Sequence, residues 1–179
     1  AIAPALHEEH SREHVYRVGR ILARLANVLV CEPDVCASLD TAERLHDIGK
    51  VCVPDRILFK SHNLKDAERE FIATHTMICS EMLAKSDIPH LRIAQEIALH
   101  HHEWWNGEGY PSKLQGKRMP LDARIVALAD VFDALTHGRP YAAPWPMEEA
   151  IAEIRRRRST QFDPELTDRF IALVERLIR

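Results

Sequence analysis

Apolar positions repeat with the period of an amphipathic helix along most of this chain. The repeat runs over residues 7–30, 64–85, 91–101 and 121–137, and the last of these segments is almost entirely apolar. Asp163-Pro164, a capping residue followed by proline, predicts the start of a final helix. An alternating strand pattern of useful length is absent from the sequence. We therefore predict an all-α fold, a single helical domain of about seven helices, with one long loop at 106–120.

Five segments place histidine or aspartate on the face that the apolar residues of a predicted helix share. Each such residue, taken alone, is more simply explained as an ordinary buried or capping residue. Together they are better explained by one cluster, because isolated buried imidazoles and carboxylates are costly and cations would neutralise the carboxylates. Their nitrogen and oxygen donors favour iron, manganese, zinc, nickel or magnesium. The set comprises His14, His46, Asp47, His75, His101, His102 and Asp130.

The run 46–50 is the centre of this hypothesis. His46 and Asp47 offer an imidazole and a carboxylate side by side, and Lys50 brings a positive charge one turn later. Apolar residues at helical spacing precede the pair, so we expect both ligands to lie on a helix. Gly49 would then end that helix, where a left-handed turn is cheap.

Three consecutive histidines cannot all reach one site, because neighbouring helix residues point about 100° apart. Two of the residues 100–102, at a helix end, could each bind a different ion. We expect the third, His100, to be a partly exposed helix residue.

Composition narrows the class of protein. The chain has 179 residues, enough for one domain with a real core, with 46% hydrophobic and 28% charged residues. A net charge of −3 gives no reason to expect a nucleic acid polymer as partner. Four cysteines without C-x-x-C spacing indicate reduced thiols. Without a signal-peptide pattern or an apolar run of the ~20 residues a membrane span needs, we expect a cytoplasmic protein whose segment does not insert into membranes.

The motifs of the chain, taken in order, resemble the HD-GYP branch of the HD-domain phosphohydrolases from His14 to Phe170. They are His46-Asp47-Ile48-Gly49-Lys50, Val53-Pro54-Asp55, His101-His102-Glu103, Asn106-Gly107-Glu108-Gly109-Tyr110-Pro111, Ala123-Arg124-Ile125, Ala129-Asp130-Val131-Phe132-Asp133, Arg139-Pro140-Tyr141 and Gln161-Phe162-Asp163-Pro164. The resemblance implies that residues 1–179 form one HD-type domain with a GYP loop. We expect this domain to be excised from, or C-terminal to, a regulatory module.

The resemblance also implies an activity, the metal-dependent hydrolysis of cyclic di-GMP by a bacterial signalling enzyme, with signalling proteins as further partners. The seven residues of the set above match its metal ligands, and Asp47 and Lys50 are the catalytic candidates. Lys50, Tyr110, Asp133 and Arg139 match substrate-binding positions, with Asp133 behind the ligands or at the pocket wall. Two divalent ions, iron or manganese in preference to nickel, zinc or magnesium, would bind the phosphate oxygens and make hydroxide available near neutral pH.

Departures from the family pattern leave alternatives open. His10 stands where some members have a glutamate for a third metal, so we favour two ions. Ala142 replaces a frequent basic residue, which leaves open whether the product is the linear dinucleotide or GMP. No residue identifies itself as the acid that protonates the leaving oxygen. The rival hypotheses are an HD-type hydrolase acting on another cyclic dinucleotide or nucleotide, and a catalytically silent domain that binds a nucleotide or a partner protein.

Overall fold

A computed structural model of the chain describes residues 39, 42, 44–60, 63–137 and 143–178. Seven α-helices lie wholly inside these ranges: α1 (Asp55–Leu58), α2 (Asp66–Ala73), α3 (His75–Leu83), α4 (Pro89–His100), α5 (Leu121–His137), α6 (Met147–Arg156) and α7 (Pro164–Leu177). Two 3₁₀-helices, η1 (Ile48–Cys52) and η2 (Gly116–Arg118), complete the described elements. The described backbone contains isolated β-bridges but no strand. The predicted all-α fold is confirmed.

Helix α5 is the element around which the core is built. It packs against α4, α6 and α7, and its buried side chains include Ile125, Val126 and Leu128. The ring of Phe132 meets that of Phe170 on α7 edge to face, with centroids 4.9 Å apart. The predicted bounds of α5, 121–137, are confirmed. A nearly apolar segment is stable as a helix when several neighbouring helices cover it.

The start of α7 also follows its prediction. Asp163 caps the helix, its side chain accepting hydrogen bonds from the backbone N–H groups of Glu165 and Leu166, and Pro164 occupies the first helical position.

None of the helices in the described ranges has the length and apolar character needed to cross a bilayer.

The long helix predicted over 64–85 is wrong, because the chain divides at Thr74 into α2 and α3. The hydroxyl of Thr74 donates to the carbonyl of Phe71 at 2.6 Å, competing for a helix acceptor. The helical period over 64–85 also predicts one inward stripe formed by Phe71, His75, Ile78 and Met82, and this stripe is not buried as a whole. His75 is buried as expected, but Phe71 and Met82 are 42% and 45% exposed.

The second correction concerns the helix expected to carry His46 and Asp47. Helical residues end at Leu45, the pair forms a turn, and η1 begins at Ile48. Gly49 lies inside η1 with no positive φ, so the left-handed turn predicted there is also wrong. A Cβ at this position would lie 2.2 Å from the carbonyl oxygen of His75 and 2.9 Å from the backbone nitrogen of Cys79. Glycine is required here by the close approach of η1 to α3.

Gly49→Ala is therefore expected to lower the free energy of unfolding by about 1–3 kcal/mol, because the backbone of α3 has to move away from η1. Urea unfolding measures the change. Val51→Ala is the matched control, since Val51 lies in the same 3₁₀-helix but is 76% exposed, and it should change stability by less than about 0.5 kcal/mol. Equal effects of the two substitutions would contradict the close-approach explanation.

Candidate metal centre

Four of the predicted ligands come together at the ends of three elements. Asp47 immediately precedes η1, His75 begins α3, and His101 and His102 directly follow the last residue of α4. One ligand atom from each of the four residues lies within 4.8 Å of the others. The sequence separates these residues by up to 55 positions, so the packing of α3 against η1 and α4 creates the cluster.

Backbone carbonyls orient two of the imidazoles. His75 Nδ1 lies 2.6 Å from the carbonyl oxygen of Ile72, and His101 Nδ1 lies 3.0 Å from that of Ala98. A carbonyl oxygen only accepts, so Nδ1 carries the hydrogen in both rings and Nε2 presents a lone pair. Both lone pairs face the same atom, Asp47 Oδ1, at 3.2 Å from His75 and 3.8 Å from His101.

The three facing atoms form an acceptor-only pocket. Asp47 Oδ1, His75 Nε2 and His101 Nε2 are buried, and no described residue gives any of them a hydrogen bond. Buried acceptors without a donor are costly, and a cation among them would satisfy all three at once. Nitrogen and oxygen donors in this number suit a borderline divalent ion, so these residues fit a metal site.

Electrostatics keep the Asp47 carboxylate ionised. Burial raises the pKa of Asp47, but the neighbouring His46 and Lys50, with His75, outweigh burial and hold the pKa well below its usual range. Lys50 Nζ donates to Asp47 Oδ2 at 2.5 Å. One carboxylate oxygen is thus paired with a lysine while the other faces the imidazoles.

Burial keeps two of the imidazoles, those of His101 and His102, neutral. Burial, reinforced by the charges of His102 and His46, lowers the pKa of His101 well below its usual value. Burial likewise lowers the pKa of His102 from 6.5 to about 3. A neutral ring is the form that binds a metal, so these two rings can coordinate without first losing a proton.

The remaining predicted ligands differ in their placement. His46 is buried with Nε2 3.5 Å from Asp47 Oδ2, and its ring centroid lies 4.9 Å from that of His101. Asp130 on α5 is half-buried and acts electrostatically on His101 and Tyr110, but it is not part of the four-residue cluster. His14 lies outside the described residues, so its role as a ligand stays a prediction.

His100 corrects an expectation. Predicted to be partly exposed, it is only 8% exposed, with Nε2 3.6 Å from Glu96 and Nδ1 3.8 Å from Glu103. Its ring nitrogens lie nearest these two carboxylates, and His100 is not part of the four-residue cluster.

The predicted substrate-binding residues that the structure describes differ in their surroundings. The Tyr110 ring is half-buried, with its centroid 4.9 Å from that of His102. Asp133 is 1% exposed and its Oδ1 lies 2.9 Å from His137 Nδ1, which favours a place behind the ligands over direct contact with substrate. Arg139, like His10 and Ala142, lies outside the described residues, and its role stays a prediction.

Glu103 is a residue whose role the sequence did not reveal. It follows His102 and is 1% exposed, and its two carboxylate oxygens accept hydrogen bonds from the backbone N–H groups of Ser112 and Leu114. Its place directly after the paired histidines was visible, but the donors lie nine and eleven residues away in the loop.

The chain is similar to known proteins over most of its length. The model of the HD domain family matches residues 3–166. A cyclic di-GMP phosphodiesterase of Thermotoga maritima is 40% identical over 91% of this chain and 44% of its own length. A 3′3′-cGAMP-specific phosphodiesterase of Vibrio cholerae is 39% identical over 93% of this chain and 34% of its own length. The chain thus spans less than half the length of these relatives.

Solved structures show the same fold. A cyclic GMP-AMP-specific phosphodiesterase of Vibrio cholerae superposes with a TM-score of 0.70 at 23% identity, over 91% of this chain and 44% of that one. An HDGYP protein of Bdellovibrio bacteriovorus superposes with a TM-score of 0.71 at 20% identity, over 90% and 51% of the two chains.

Removing either oriented imidazole should weaken metal binding. Loss of a residue that only hydrogen-bonds to a metal ligand lowers metal affinity roughly 10–100-fold. We expect His75→Gln and His101→Gln, which remove a ligand itself, to lower Mn²⁺ affinity by more than that. His90→Gln, at the far end of α4, is the matched control and should bind Mn²⁺ like the unmodified protein. Calorimetric titration and elemental analysis measure the effect. Unchanged affinity in both site variants would show that the metal binds elsewhere.

Acid should destabilise the metal-free protein. Folding lowers the pKa of His102 from 6.5 to about 3. Below pH 6.5 the unfolded chain therefore binds a proton at His102 that the folded chain does not bind. The free energy of unfolding consequently decreases as the pH is lowered from 6.5. Above that pH both states are neutral and this dependence vanishes. Urea unfolding of chelator-treated protein between about pH 5 and about pH 7.5 measures the slope. His102→Gln should flatten it, and an unchanged slope would contradict the assignment.

Proposed function

The chain belongs to the HD domain family, and we propose that it is a metal-dependent phosphodiesterase that hydrolyses cyclic di-GMP. The observation that carries this proposal is the pocket at Asp47 Oδ1, where two oriented imidazoles present lone pairs to one carboxylate oxygen. Relatives named as cyclic di-GMP phosphodiesterases, 34–40% identical to this chain, support the substrate class.

Two divalent ions are the proposed cofactor, with iron or manganese favoured over nickel, zinc and magnesium. Asp47, His75, His101 and His102 would hold one part of the centre, and His46, Asp130 and His14 would extend it. When bound, such ions supply positive charge for the phosphate oxygens and lower the pKa of water toward neutrality. The acceptor-only character of the described pocket supports this assignment.

Lys50 is the proposed catalytic partner of Asp47. Its ammonium group lies against Asp47 Oδ2, and the Lys50 side chain is 35% exposed, so an incoming phosphodiester can reach it. A positive charge held there would stabilise the negative charge that develops on the phosphoryl oxygens during hydrolysis. The same contact keeps Asp47 ionised, so Lys50 has one role before substrate binds and another afterwards.

Tyr110 is proposed to form one wall of the substrate pocket. Burial and the charges of Asp47 and Asp130 raise the pKa of Tyr110, so its side chain stays a neutral phenol that can donate a hydrogen bond. Its ring offers an apolar face beside His102 on which a nucleobase could stack. Arg139 would bind a substrate phosphate, and Asp133, buried on α5, would lie behind the metal ligands.

Cleavage of one phosphodiester bond gives the linear dinucleotide, and a second cleavage would give GMP. We propose the linear dinucleotide as the first product. The reaction is assigned to the cytoplasm, in keeping with the free thiols of Cys52 and Cys79. Signalling proteins remain proposed partners.

A second candidate substrate is 3′3′-cGAMP. Relatives with that specificity are up to 39% identical to this chain, against 40% for a cyclic di-GMP enzyme, so identity alone does not separate the two. Both molecules present the same kind of phosphodiester to the metal centre. Discrimination would therefore depend on residues that contact the bases.

Protein loaded anaerobically with Fe²⁺ or Mn²⁺ is expected to convert cyclic di-GMP to the linear dinucleotide. Lys50→Met should keep the metal and lower kcat by about 10²–10³-fold, the usual cost of removing one group that stabilises transition-state charge. His90→Gln is the control and should leave kcat unchanged. Chromatography of the products and parallel assays with 3′3′-cGAMP measure the outcome.

Two other results would replace the proposal. Metal-loaded protein that binds cyclic di-GMP without cleaving it would indicate a silent binding domain. Cleavage of a generic phosphodiester, with no turnover of either cyclic dinucleotide, would indicate an HD-type hydrolase with another substrate.

A further inference from the structure

Glu103 makes a buried connection between the metal centre and the loop 106–120. It directly follows two candidate ligands, and its side chain has no exposed surface. Ser112 N donates to Glu103 Oε1 at 2.6 Å and Leu114 N donates to Oε2 at 2.9 Å. Both carboxylate oxygens are thus used, and both donors come from the segment just after Tyr110-Pro111.

The same loop touches a candidate ligand on its other side. Tyr110 N donates to the carbonyl oxygen of His102 at 3.2 Å, and the two rings lie 4.9 Å apart. Gly109 allows this approach, since a Cβ there would lie 2.3 Å from Trp104 N and 2.5 Å from the carbonyl oxygen of His102. Tyr110 is therefore held on both sides: His102 contacts Tyr110 itself, and Glu103 binds the residues that follow Tyr110 in the loop.

A carboxylate is suited to this position for a chemical reason. Each of its two oxygens accepts a hydrogen bond, so it satisfies two backbone N–H groups that the loop would otherwise leave without a partner. Glutamine has nearly the same size, but its amide nitrogen would face one of those N–H groups as a second donor. The contact is thus sensitive to replacing one oxygen atom by an NH₂ group.

We propose that Glu103 is a positioning residue: through Ser112 and Leu114 it fixes the loop that carries Tyr110, and so sets the pocket for the base of the substrate. For the identity of that substrate the inference rests on the proposed function. The contact of Glu103 with the loop is independent of it.

The loop itself provides the first measurement. Lys113, Lys117 and Arg118 are exposed trypsin sites inside it. Glu103→Gln should accelerate tryptic cleavage at these three sites and leave cleavage elsewhere unchanged, because the loop loses its attachment. Glu108→Gln is the matched control, since Glu108 is exposed in the same loop and its hydrogen bonds to described residues are with Asn106, inside the loop.

Kinetics provide the second measurement, on metal-loaded protein. Glu103→Gln should raise KM for cyclic di-GMP about tenfold, the effect of losing a hydrogen bond to a charged group, with a smaller change in kcat. Turnover of bis(p-nitrophenyl) phosphate and the metal content should stay unchanged, because that small diester needs no base pocket. In a Tyr110→Ala background the effect on KM should shrink, since the two residues act through one loop.

Glu103→Asp keeps the charge but is one methylene shorter, so it cannot reach both amides, and it serves as the test if Glu103→Gln does not fold. Loop cleavage and KM equal to those of the unmodified protein would overturn the proposal. Loss of metal together with equal loss of both activities would also overturn it, by assigning Glu103 to the metal centre. If the unmodified protein cleaves no cyclic dinucleotide, the proposed function fails while the trypsin comparison still decides the role of Glu103.

Discussion

Three buried acceptors that face one another are the constraint on which the site depends. Asp47 Oδ1, His75 Nε2 and His101 Nε2 present lone pairs to a common volume, and no described residue donates to them. Each unsatisfied buried group costs about 1–3 kcal/mol. A fold that keeps such a pocket gives up stability locally, and a bound cation would reverse that cost. The packing of η1 and α4 against α3 holds these atoms in place.

Helix ends provide that support. The last carbonyls of a helix have no partner within it, and the histidines use such groups: His75 bonds to Ile72 near the end of α2, and His101 to Ala98 near the end of α4. The break at Thr74 is therefore part of the site, because it puts His75 at the start of a new helix. Gly49 lets η1 approach the backbone of α3 directly after this break.

The sequence predicted the all-α fold, the bounds of α5 and the start of α7, because periodic apolar positions and capping residues act locally. It also selected four residues that the fold brings within coordinating distance. The sequence did not predict the break at Thr74, where a side-chain hydroxyl bonds to a carbonyl of its own helix. It also did not predict the conformation at Gly49, which depends on the contact between η1 and α3. Neither interaction can be detected from the spacing of apolar residues. The periodicity likewise did not show that the ring nitrogens of His100 lie near the carboxylates of Glu96 and Glu103.

The relation between chemistry and specificity follows from this arrangement. A metal centre acts on phosphate oxygens, which cyclic di-GMP and 3′3′-cGAMP present alike, so on the proposed function it cannot distinguish them. Selectivity has to come from groups that reach the bases, and in the described structure the loop with Tyr110 is attached beside the centre by His102 and Glu103. Since His102 is itself a candidate ligand and Glu103 directly follows it, the position of the loop is tied to the geometry of the four-residue cluster. On the proposed function, the reactive centre and the base pocket therefore share one attachment, and a change in the loop that leaves His102 in place would alter substrate choice while the acceptor pocket stays intact.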